Sequence, residues 1–235
     1  MGGRGASSGA KGGMAQKGAS GAQSFSELKT YMQAQGVRFG AGLENKDLGM
    51  LRTASEEILN MRKEFPQAAG AFTELNGEEA RPGVYASASR VTGNIMVSGM
   101  MSNVEKARQT YNLDVALGFH PKGTTSDHIV THESGHILEK ALLDKAYAND
   151  PYGRQAAFFG RTEAKRIVKN AVMSIKKTPE GKGAKTESLI GQISKYASKN
   201  RSETLAEAVA DYRANGAKAK PLSRAIWAEL KKELG

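Results

Sequence analysis

His132, Glu133 and His136, in the run HESGH, are the residues of this sequence whose types and spacing point most directly to chemistry. All four histidines fall between positions 120 and 136. On a helix, positions i and i+4 lie on one face, so His132 and His136 can grip one ion. Zinc accepts neutral imidazoles at about 2.0–2.1 Å and, in catalytic sites, keeps its fourth position for water. Glu133, next to the first imidazole, is placed to take a proton from that water as general base. The expected chemistry is hydrolysis of a peptide bond with one Zn2+ per chain. The chain contains no cysteine. That excludes disulfides, thiolate metal sites and cysteine nucleophiles, and any transition metal must be held by His and carboxylate.

The bland alternative is two solvated histidines on an amphipathic helix, and the neighbours oppose it. Ile129 and Val130 before the motif, with Ile137, Leu138, Leu142 and Leu143 after it, make the helix apolar on much of its circumference. Gly135 costs about 1 kcal/mol relative to Ala in a helix interior, which predicts a close approach by another backbone or a ligand. The helix is expected to start near Ser126 or Asp127 as N-cap.

A third ligand is expected from the helix after Arg201, where Glu203, Glu207 and Asp211 follow at i, i+4 and i+8, opposite Leu205, Val209 and Tyr212. The competing reading of Glu203 is a capping-box partner of Asn200, and of the whole stripe a solvated face. His128, one turn before His132, lies off the line of the pair and is read as exposed or supporting. His120, in GFHPKG, is expected after a strand, facing the cleft or in a structural role. Glu139 is read as a surface glutamate, with a role as acceptor for a ligand histidine as the lesser alternative.

HESGH, followed by Tyr196, then Glu203 seven residues later in the run ETLAE, resembles the lethal-factor-type zincins of the gluzincin group, whose catalytic domains also occur in phage and mobile-element proteins. The resemblance implies zinc on His132, His136 and Glu203, Glu133 as general base, and Tyr196 as the phenol that stabilises the oxyanion or protonates the leaving amine. Glu207 matches the second acidic residue of that helix, behind the ligands, and remains the alternative third ligand. GNIMVSG, residues 93–99, would match the strand that runs beside a zincin cleft and binds extended substrate. The resemblance spans about 120–215.

Around the motif, the expected class is α+β: a small mixed sheet packed on the active-site helix, with a mostly helical C-terminal half. Residues 1–22, rich in Gly, Ser and Ala, read as a disordered arm. Residues 23–80 read as a helical N-terminal segment and 81–235 as the catalytic domain. Helices are expected at 24–35, 46–64, 103–112, 153–176, 186–197, 201–214 and 220–234. Two strands are expected within 82–100 and another in the stretch 113–123. The sequence shows neither a secretory signal nor an apolar run long enough to cross a membrane, so the expected setting is host cytoplasm or a phage virion. The expected partners are a protein or peptide substrate and phage capsid or head proteins. The net charge of +10 and the basic arm motivate a rival reading, a virion-associated structural or nucleic-acid-contacting protein with a zincin fold and no turnover. Lys165 to Lys185 reads as a solvated helix and loop, and Trp227 as core.

Overall fold

The computed structural model describes residues 18–77 and 83–235. The arm expected over residues 1–22 gives way to packed structure by its end: Ala19–Gly21 form a 3-10 turn with Ala19 buried, and the Ser20 amide donates to Glu56 Oε1. Residues 1–17 lie outside the described residues. Helix α1, Phe25–Ala34, is capped by the Ser24 hydroxyl and stopped by Gly36 at φ 77°. Strand β1, Arg38–Phe39, precedes α2, Leu48–Glu64, which is capped by Asp47. It ends at Phe65 because the residue before a proline is pushed out of the helical region.

Three strands follow: β2, Glu74–Gly77; β3, Ala86–Ala88; and β4, Asn94–Val97. They join β1 in a four-stranded mixed sheet of order β1-β2-β4-β3. The β1–β2 and β2–β4 pairs are parallel, and β3–β4 is antiparallel in the register Ser87 to Met96. Half of the strands come from the segment expected to be helical, so the sheet runs across the expected boundary at 80/81. The strand in residues 93–99 is β4, paired on both sides and unable to accept another chain. The edge strands are β1 and β3.

No strand forms over residues 113–123: helix α3, Val104–Ala116, takes in its start, and Gly118 at φ 73° turns the chain after it. Helix α4, Ile129–Ala146, carries HESGH. Its entry turn, Ser126–His128, is capped by Thr125, one residue before the expected cap, and His128 Nδ1 accepts from the Thr125 amide in return. His128 is thus a capping residue. Helices α5, Pro151–Gly160, and α6, Thr162–Ile175, replace the single helix expected over 153–176, with the break at Arg161. Helix α7, Thr186–Gly191, is shorter than expected and leaves Tyr196 in a separate 3-10 turn. Helices α8, Arg201–Asn215, and α9, Pro221–Leu234, complete the fold.

One apolar core joins these parts. Leu28, Met32, Ile58 and Phe65 from the N-terminal segment, Leu75 and Ile95 from the sheet, and Ile137, Leu138 and Leu142 from α4 belong to a single cluster. Trp227 is part of it, stacked on Tyr212 and edge-on to Phe65. The class is therefore mixed α and β, with a small sheet against α4. Among the described residues no helix is long and apolar enough to cross a membrane.

Candidate metal centre

Helices α4 and α8 cross where neither presents a large side chain. A Cβ added at Gly135 would meet the Ala206 Cα at 2.6 Å, inside any tolerable contact. The close approach anticipated from this glycine is the packing of α8. It turns the His132–His136 face toward the first turn of α8, where Asn200 caps the helix by accepting from the Glu203 amide. The Glu203 side chain is left free to face the histidines.

His132 Nε2 and His136 Nε2 each lie 3.3 Å from Glu203 Oε2. Among the described residues these three form a group that could hold a metal ion, every ligand atom within 4.8 Å of the others. The spacing has a direct reading. Ligands about 2.0–2.1 Å from a tetrahedral ion stand roughly 3.3–3.4 Å apart, the edge of that tetrahedron. Glu203 Oε2 is buried and has no hydrogen-bond partner, an arrangement costly to leave unfilled. The donor set, two imidazoles and one carboxylate, fits zinc.

Further carboxylates stand behind the imidazoles. Glu207 is fully buried, and its Oε1 approaches His132 Nδ1 obliquely at 2.8 Å. It is held there by the Ser194 hydroxyl (2.7 Å) and by His120 Nδ1 (3.1 Å). This gives Glu207 the supporting position rather than that of a ligand, and gives His120 a defined task as its neighbour. Glu139, expected at the surface, is also fully buried, with Oε2 4.0 Å from His136 Nδ1. Arg90 (2.7 Å) and the Ser202 hydroxyl bind it. Asp211, the last of the stripe, is buried too, but it accepts from Asn215 and the Lys220 amide and takes no part in the centre. The competing reading of the stripe as a solvated face fails, because Glu207 and Asp211 are interior.

These contacts set the protonation of the metal-free site. Burial opposes charge on His132, but Glu203 and Glu207 outweigh it and hold the imidazole well above its ordinary pKa. His136 is likewise carried against burial by Glu139 and Glu203, to about 8. Glu203 and Glu207 go the other way, kept ionised against burial by the adjacent imidazoles. Both histidines thus carry protons that a metal would displace.

Glu133 is buried, and burial pushes its carboxyl above the ordinary value despite the nearby imidazoles. It lines a cavity of about 260 Å³ together with His132, His136, Glu203, Tyr196 and the edge-strand residues Ala86–Ala88. The Tyr196 ring lies 5.8 Å from that of His132, and its hydroxyl accepts from Lys199 Nζ at 3.2 Å. Its position is fixed by the amides of Lys195 and Tyr196, which donate to Gly118 and Phe119. A second cavity, of about 320 Å³, continues from Glu133 past Tyr85, Tyr111, Phe119 and His120. All five residues singled out as catalytic or metal-binding therefore meet in one cleft.

Sequence reasoning missed Arg90, Arg161 and β3 as walls of this cleft. Arg90 and β3 lie far from the motif in sequence, and only the sheet brings them near. The Gly-Arg-Thr-Glu run at 160–163, a helix stop followed by a new start, was the available signal for Arg161. No protein-family model matches the chain, and no curated protein or solved structure is similar to it.

Proposed function

We propose that the chain is a zinc-dependent metallopeptidase with a zincin-like catalytic fold. The observation that carries the reading is the convergence of His132 Nε2 and His136 Nε2 on the unpartnered Oε2 of Glu203, with Glu133 and Tyr196 lining the same cavity. His132, His136 and Glu203 would hold the ion, which when bound polarises the scissile carbonyl and makes water acidic enough to attack near neutral pH.

The chain's own residues do the rest. The Glu133 carboxylate takes one proton from the attacking water and passes it to the leaving nitrogen, so that water is added across the C–N bond. Its raised pKa suits both halves of that transfer. The Tyr196 hydroxyl accepts from Lys199, which leaves its own O–H to donate where negative charge builds on the carbonyl oxygen. β3, an edge strand of the sheet, lines the cavity beside Glu133, which supports an extended peptide lying along it and so an endopeptidase acting on protein. A phage-associated substrate, such as a capsid or head protein, follows from the sequence resemblance.

The test is cleavage of an unfolded protein substrate and a peptide mixture by the zinc-loaded chain and by Glu133→Gln. The variant should retain its zinc and lose about 10²–10⁴ in rate, the usual contribution of a general base. Equal cleavage by both proteins would reject the assigned roles. No cleavage, together with tight and steeply salt-dependent DNA binding, would favour the nucleic-acid-contacting alternative.

A further inference from the structure

The break between α5 and α6 falls on Arg161, at φ 51° and ψ 42°. It is the one non-glycine residue among those described with positive φ. That conformation costs any residue with a Cβ, and Gly or Asn takes it most cheaply. An arginine is kept there at a cost in backbone strain, and such strain gathers at binding sites. The Arg161 side chain lines the cavity that contains His132, Glu133, His136 and Glu203. Its Nε is buried with no hydrogen-bond partner. Arg90, on the same cavity, is neutralised by Glu139 at 2.7 Å, whereas Arg161 forms no ion pair with a carboxylate among the described residues. Lys199, above the Tyr196 ring at 4.7 Å, adds positive charge to the adjoining cavity.

We propose that Arg161 is a substrate-binding residue that anchors a carboxylate of the peptide beside the metal centre. The planar guanidinium matches a carboxylate with two parallel hydrogen bonds, and in a partly enclosed cleft such a pair is stronger than at the surface. It also offsets the repulsion that Glu203 and Glu133 would exert on an acidic substrate. The carboxylate has two sources, an acidic side chain near the scissile bond or the free C-terminus of a short substrate. The inference rests on the peptidase reading for its substrate class.

The test uses the full chain, zinc-loaded and carrying Glu133→Gln so that peptides bind without being cut. Three labelled peptide pools are compared by fluorescence anisotropy: glutamate-containing with an amidated C-terminus, the same with glutamine, and the glutamine pool with a free C-terminus. A carboxylate pool should bind at least about ten-fold tighter than the amidated glutamine pool, as for a hydrogen bond to a charged group. The glutamate pool winning assigns the side chain, and the free-terminus pool winning assigns the C-terminus. Adding Arg161→Gly should remove that advantage while the melting temperature stays the same or rises, because glycine relieves the backbone. Arg161→Gln, with zinc content as the check on folding, should remove the advantage as well. Equal binding of all three pools, or an advantage that survives both substitutions, overturns the proposal. Cleavage by the wild-type chain with no preference for either carboxylate source would sink this inference alone. Arg161-dependent acidic binding without wild-type cleavage would sink the peptidase reading and leave the anion site standing.

Discussion

Each residue of the centre is placed by a contact that can be removed singly. Glu203 is oriented by the Asn200 cap, His132 by Glu207, and Glu207 in turn by Ser194 and His120. Tyr196 is held by the main chain of Gly118 and Phe119 and touches no ligand by hydrogen bond. Its hydroxyl is therefore separable from metal binding. Tyr196→Phe should lower kcat by about 10²–10³, the range for loss of one oxyanion donor, with zinc content and KM little changed. Loss of zinc in that variant would show that the phenol supports the centre instead.

At the scale of elements, the site exists because α4 and α8 approach closely at Gly135 and Ala206. Gly135→Ala gains about 1 kcal/mol of helix propensity but forces a methyl into the Ala206 backbone, and overpacking of this kind typically costs 1–3 kcal/mol. The variant should melt several degrees lower and bind zinc more weakly, because α8 must retreat with Glu203. A higher melting temperature with unchanged zinc affinity would separate the helix contact from the site. This contact was legible in the sequence, since a glycine inside an apolar helix had few other uses. The helices were legible as well, because their caps and periodicity are local. The sheet was only half so. β3 and β4 are no longer than β2, but they pair with each other as neighbours in sequence, whereas the partners of β1 and β2 lie 20 or more residues away. The same limit hid the exchange of β4 for β3 as the cleft strand, because pairing on both sides is a property of the sheet. Glu139 was misjudged for a related reason: a buried carboxylate looks like a surface one until Arg90 comes to meet it.

For the whole molecule, the concentration of charge at the centre ties stability to pH and metal. The His136 pKa is about 8 in the folded metal-free chain, above its ordinary value of 6.5. A group raised on folding stabilises fully below its unfolded pKa and loses that contribution as pH climbs through the folded one. His132 is raised in the same direction. The metal-free chain should therefore lose stability, on the order of 1–2 kcal/mol, between about pH 6.5 and 8. Zinc needs the same nitrogens unprotonated, so its affinity should rise over that window and the loaded chain should not share the decline. Thermal melts of both forms from pH 6 to 9 check this, and a metal-free melting temperature that stays level or rises would contradict it.

The account turns on His132, His136 and Glu203 forming the metal centre, with Glu207 in support. Equilibrium dialysis against zinc, with metal content measured for the wild-type chain, Glu203→Ala and Glu207→Ala, tests that most directly. The expected result is one zinc per wild-type chain, a loss of about 10–100-fold in affinity for Glu207→Ala as for a residue that orients a ligand, and a far larger loss for Glu203→Ala. A wild-type chain that takes up no zinc, or the reverse order of the two variants, would contradict it.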